Sequence, residues 1–278
     1  MTISTLEIGA APAVRGPTLP PVIVLGRREA RRILLSPVFG VYALLVVVNG
    51  VGVAFDATFD RASFYEGLTY FIALYLGLMT YMSAHLVTSS ARRTGAERQL
   101  EAAAMGTRGR SGGLCVGVIL GPGLLAAVLV SVLALLGNGA TSADGASPMS
   151  SVELGQLALT VVGGGLFGVM WATWLRFPGS LPLGLVLLVV GTVALDSPAR
   201  EPLNTWPWFM PYIASPGFFD GEAWPLLGSQ EWHAAYLLGL CGLAFCATML
   251  RPKEQRGRWL AVTAAVAVVT ATVGMLQI

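Results

Sequence analysis

Thr94 and Glu97 stand three residues apart in the order that makes a capping box, in which each side chain satisfies a free backbone donor at a helix start. They lie inside Ser89–Gly113, the one long charged stretch in an apolar chain, where Arg92, Arg93, Arg98, Arg108 and Arg110 are set against only Glu97 and Glu101. Ala96, Leu100, Ala103 and Ala104 then recur at helical spacing, and Gly106 is a natural C-terminal stop. The spacing predicts a short amphipathic helix of about three turns between two apolar runs. Such a helix, outside the lipid, can receive force from another protein. Without that role the same residues form an ordinary basic loop beside anionic headgroups.

Bond-breaking chemistry has little to work with. Lys253 is the only lysine, in the context RPKEQ, so a phosphate-cradling GxxxxGK[ST] loop is excluded and the chain cannot split ATP by that route. The two histidines, His85 and His233, fall at opposite ends of different apolar runs, and no HExxH or GxSxG is present. Cys115, Cys241 and Cys246 show no metal-ligand or disulfide spacing, and the last two lie about 140° apart round a helix. Acidic residues keep to loops and ends of apolar runs, which disfavours a proton-coupled carrier. The expectation is a chain without catalytic, cofactor-binding or metal residues of its own.

The elements that must position the charged stretch are membrane helices. Apolar residues make up 55% of the chain and charged residues 12%, and the mean hydropathy is +0.70. A spanning helix needs about 20 mostly apolar residues. Seven candidates follow: Val38–Phe55, Phe64–Val87, Leu114–Gly137, Val152–Leu175, Leu181–Asp196, Trp232–Leu250 and Trp259–Gln277. The fifth is short and carries Pro182, so it should tilt, kink or insert in part. Of the lysines and arginines, all but Arg61 and Arg200 fall on alternate sides of successive spans, which predicts a cytoplasmic N-terminus. Residues 1–21 are proline-rich with no apolar core, a disordered tail rather than a signal peptide.

After Pro20-Pro21, Arg27, Arg28, Arg31 and Arg32 cluster on one side of a helical wheel, with Gly26, Ala30, Ile33 and Leu34 opposite. This predicts a helix lying in the interface, ended by Ser36-Pro37. Asn49 should bond to a neighbouring helix, and His85 should be an unremarkable neutral or interface-facing histidine. Gly117 and Gly121, and Gly164 and Gly168, are four apart and predict close helix contacts. Residues 197–231 alternate six prolines with Trp206, Trp208, Phe209, Tyr212, Phe218, Phe219 and Trp224. That segment reads either as half-helices forming an extracellular gate or as an aromatic plug.

A basic helix ending in SPVF at Ser36–Phe39, the arginine-then-Thr-Gly element with its acidic helix in SSARRTGAERQLEAAAMGTRGR, and the aromatic outer loop together resemble an ABC-2 type transporter permease. The resemblance implies an all-α polytopic protein of six to seven transmembrane helices, with an N-terminal interfacial helix and a cytoplasmic coupling helix. Its transmembrane domain would cover 22–250, with the coupling region at 89–113 and the gate loop at 197–231. Residues 251–278, a cytoplasmic turn and an extra final helix, depart from the family's six-span pattern. Arg93, Thr94, Gly95, Glu97, Leu100 and Glu101 would couple to a separate cytoplasmic ATPase, which would bind the ATP and Mg. A second permease copy or homologue would complete a dimer in the plasma membrane, with lipids and no nucleic acid as further partners. Spans two and five would line a path for a hydrophobic or amphipathic cargo such as a drug, lipid or peptide. The alternative is a non-transporting scaffold or anchor subunit whose loop at 89–113 meets no ATPase.

Overall fold

Ser36-Pro37 sets the geometry of the N-terminal third of the protein. The ring of Pro37 cannot continue a preceding helix but suits the first position of a new one. Helix α1 (Pro21–Leu34) therefore stops, and α2 (Pro37–Phe55) leaves at 68° to it. The break is pinned by Ser36, whose hydroxyl donates to Ser83 Oγ at 3.1 Å, and whose carbonyl accepts from Gly40 N at 2.9 Å.

The structure, a computed structural model, describes residues 20–55, 67–68, 70–93, 106–137, 150–196, 229–252 and 255–277. All regular structure among them is helical. A wide-turned π segment, Tyr70–Leu76, leads into α3 (Gly77–Arg93). Helix α4 (Gly106–Val118) continues through a second π segment, Ile119–Gly123, into α5 (Leu124–Gly137). Pro122 lies within that segment, where its missing N–H and its ring are accommodated by the widened turn. Then come α6 (Ser151–Trp174), α7 (Ser180–Asp196), α8 (Gln230–Met249) and α9 (Arg256–Leu276). Helix α6 opens with a capping box, Glu153 N donating to Ser150 Oγ and Ser150 N to Glu153 Oε2.

Five of these stretches are long and apolar enough to cross a membrane: Phe71–Ser90, Gly106–Leu136, Ser151–Trp174, Gln230–Leu250 and Arg256–Leu276. The bent α1–α2 pair makes a sixth if counted as one. The described apolar part of α7, Ser180–Gly191, is shorter than these. The chain is thus a multi-pass helical membrane protein by length and composition. Large apolar side chains face outward along two of its helices: Val41, Leu44, Leu45 and Val48 on α2, and Leu260, Val268, Val269 and Met275 on α9, are exposed. A lipid-facing surface has this character.

Two seams of close-packed backbone hold the bundle. Helix α6 lies along α3 at Gly164 and Gly168, where an added Cβ would fall on the Gly77 and Tyr81 carbonyl oxygens respectively. Helix α4 lies along α1 at Gly113, Gly117 and Gly121. A Cβ on Gly117 would stand 3.1 Å from both Ala30 N and the Gly26 carbonyl, and one on Gly121 would stand 3.1 Å from Ala30 Cα. Both glycine pairs singled out by spacing are therefore true approach points. The partner of the second is the finding: the small-residue face of α1, Gly26, Ala30 and Ile33, packs on protein instead of lying among acyl chains.

The bundle has two chemically distinct ends. At one, Arg108 Nη1 donates to Gln255 Oε1 at 3.3 Å, Arg32 Nη2 to Ser90 Oγ at 2.8 Å, and Trp174 Nε1 to the Ala247 carbonyl at 2.9 Å. Every arginine among the described residues belongs to this basic end. At the other end Gln156 Nε2 donates to the Gln230 carbonyl at 2.7 Å, and Ser229 N to the Gln277 carbonyl at 3.2 Å. His233 Nδ1 and Gln277 Oε1 meet at 3.0 Å with both residues fully buried, which joins α8 to the end of α9. Replacing His233 by leucine should lower stability by about 1–3 kcal/mol, because it strands the buried Gln277 amide. Thermal unfolding in detergent measures this, and the double variant His233→Leu/Gln277→Leu should recover most of the loss.

Candidate functional site

Four arginines on one α1 face follow from their 27, 28, 31, 32 spacing, and the structure exposes all four. Glu29 faces the other way, 7% exposed, with its Cβ against Gly117. Arg32 bridges the two environments. Its Nη1 meets Glu29 Oε2 at 2.8 Å, and its Nη2 reaches Ser90 on α3. Helix α1 is thereby fastened on both sides, to α4 by backbone contact and to α3 by a charged hydrogen bond. Between α1 and the end of α3 lies an open hollow of about 880 Å³, whose wall includes Arg28, Arg31 and Arg32 along with Leu35, Pro37, Leu86, Val87 and Ser90.

Across the end of α3 is a second hollow of about 530 Å³, lined by His85, Ser89, Arg176 and Ser180 among others. It sits where α7 enters the bundle, and three side chains grip that entry. Tyr81 Oη donates to the Leu181 carbonyl at 3.1 Å, Trp171 Nε1 donates to the Ser180 carbonyl at 2.6 Å, and His85 Nε2 meets Ser180 Oγ at 3.1 Å. Tyr81, Phe167 and Trp171 form a continuous row of rings, with centroids 5.7 and 5.2 Å apart. His85 is buried here, 4% exposed, not facing an interface. Sequence reasoning missed this grip because its partners lie up to a hundred residues apart; the only local sign was the polar trio Tyr81, His85 and Trp171 in otherwise apolar runs.

A third cavity, about 460 Å³, is apolar and lies between α6, α7, α8 and α9, with Gly163, Phe167, Leu188, Tyr236, Leu240 and Thr263 on its wall. Asn49 does not reach a neighbouring helix. Its Nδ2 donates to Leu45 O at 2.8 Å within α2, and the residue is exposed. The three cysteines are free and buried. Among the described residues no three of His, Cys, Asp and Glu gather where they could hold a metal ion.

Thr94, Gly95, Glu97, Leu100 and Glu101, expected from the sequence to couple to an ATPase, lie outside the described residues, as do the tail at 1–19 and Trp206, Trp208, Phe209, Tyr212, Phe218 and Phe219, expected to form a gate. What is described is their mounting. Arg93 is the last residue of α3, and Gly106, in the left-handed region at φ 64°, opens α4. Arg93 and Gly106, the described residues on either side of 94–105, thus belong to the two helices to which α1 is fastened. Compared with known proteins, the chain matches no family model, and neither a curated protein nor a solved structure is significantly similar to it.

Proposed function

We propose that the chain is the membrane-spanning subunit of an ATP-driven exporter of the ABC-2 type, working with a separate cytoplasmic ATPase and a second copy or homologue of itself. The observation that carries this reading is the clamp of α1 onto α4 and α3 at the basic end. The stretch Gly106–Leu136 is 31 residues long, about 46 Å, against a hydrocarbon thickness of about 30 Å. Its basic beginning therefore stands clear of the lipid. A push on residues 94–105 would enter two helices at once, and the α3–α6 seam would pass it into the bundle.

The basic end would be the cytoplasmic one under the positive-inside rule, with the N-terminus on the same side, and the exporter reading would put the chain in the plasma membrane. Helix α7, gripped by Tyr81, His85 and Trp171, would be repositioned with α3, and these are the two spans assigned to the path by resemblance. The apolar cavity beside α7 suits a hydrophobic or amphipathic cargo. Asn49, an amide on the outward face of α2, is a point where a second copy would gain a hydrogen bond within the membrane.

The test is co-purification with a cellular ATPase followed by Leu100→Asp and Glu97→Ala. Export and cargo-stimulated ATP turnover should fall by about ten-fold, the loss of roughly one well-made contact, while assembly of the membrane subunit is unchanged. A chain that binds no ATPase, or variants that couple normally, would favour a scaffold subunit.

A further inference from the structure

The hollow between α1 and the end of α3 has a divided wall. Arg28, Arg31 and Arg32 form one side, and Leu35, Pro37, Leu86 and Val87 form an apolar side at the level where α2 begins its span. Glu29 turns away into the α1–α4 seam and offsets only Arg32, which also holds Ser90. The hollow thus keeps the charge of Arg28 and Arg31, three positions apart on one helix face with Cβ atoms about 5–6 Å apart. Two guanidinium forks at that separation can converge on one phosphate group.

We propose that this hollow binds one anionic phospholipid, its phosphodiester held by Arg28 and Arg31 and its glycerol and upper acyl carbons against Leu35, Pro37, Leu86 and Val87. The apolar wall favours a lipid over free phosphate or an acidic peptide, neither of which would use it. The anionic headgroup supplies the charge complement that a zwitterionic one lacks. The inference rests on the membrane reading of the chain and does not require the exporter reading.

The test uses the full chain in nanodiscs of equal parts phosphatidylglycerol and phosphatidylcholine, then gentle detergent extraction and native mass spectrometry. The wild-type chain should retain phosphatidylglycerol in preference to phosphatidylcholine. Arg28→Gln/Arg31→Gln should retain about ten-fold less, while Arg256→Gln/Arg258→Gln, at the same end but off the hollow, should match wild type. Equal retention of both lipids by the wild-type chain would overturn the proposal without recourse to any variant. So would undiminished phosphatidylglycerol on Arg28→Gln/Arg31→Gln, displacement of the lipid by excess inorganic phosphate, or its displacement by an acidic peptide.

Discussion

Valine at Gly164 or Gly168 is expected to cost about 3 kcal/mol or more and to leave little extractable, monodisperse protein. The added Cβ would meet main chain, not a side chain with another rotamer to adopt. At Gly164 it lands on the Gly77 carbonyl oxygen and 3.0 Å from the carbonyl carbon; at Gly168 it lands on the Tyr81 carbonyl oxygen and 3.2 Å from Tyr81 Cα. Relief would require α3 and α6 to move apart along the seam that brings Tyr81 and Trp171 to the α7 entry. Small residues at helix contacts in membranes supply the packing that water would otherwise drive, so nothing replaces what is lost. Gly155 and Gly191 meet nothing within 4 Å of an added Cβ, and valine at either should leave the protein intact. Size-exclusion profiles of detergent extracts measure the contrast. Equal tolerance at all four positions would mean that α3 and α6 are not in contact.

The second large effect concerns α1. Valine at Gly117 should lift α1 from α4, because the Cβ would press on Ala30 N and the Gly26 carbonyl, both on the α1 backbone. What remains is the burial of Ile33 against Ala84 and the attachment through Arg32 to Ser90, an exposed hydrogen bond of modest worth. Trypsin cuts after arginine and needs an unfolded strand, so cleavage at Arg27–Arg32 reports how often α1 opens. Loosening the seam by the usual cost of overpacking should raise the cleavage rate by about ten-fold. Valine at Gly257, at the same end and with nothing within 4 Å, should not. If the exporter reading holds, the same variant should weaken coupling while still binding its ATPase.

Much of this architecture was legible in the chain, and what was not shares one cause. Spans announce themselves by length, and Gly117/Gly121 and Gly164/Gly168 by interval, because both signals are local. Ser36-Pro37 marked its bend for the same reason. A helical wheel sorted the α1 residues correctly into basic and small faces, yet it carries no information about what each face meets; the small face meets α4. Of the two settings open to His85, neutral or interface-facing, its burial against Ser180 of a distant helix excludes only the second. Asn49 satisfied itself within its own turn, a choice spacing cannot distinguish from a bond across helices. The capping box Ser150–Glu153 was plain in the sequence and went unread. The final helix, a departure from the six-span pattern, packs chiefly on α8 through Gly239 against Thr270, so it adds to the periphery and leaves the two seams as they are.

The two π segments give the spans something ordinary helices lack. Each widened turn holds surplus backbone relative to a 3.6-residue repeat, and the surplus sits at the junction of α3 and within the α4–α5 rod. Tightening the Tyr70–Leu76 turn, which holds no proline, would swivel what precedes it against α3 by up to one residue's step, about 100°. The glycine seam beyond Gly77 could then stay engaged while Phe71 and Tyr75 sweep to new neighbours. Torsion, and not only tilting of rigid cylinders, is therefore available to this protein as a way to rearrange the half away from its basic end.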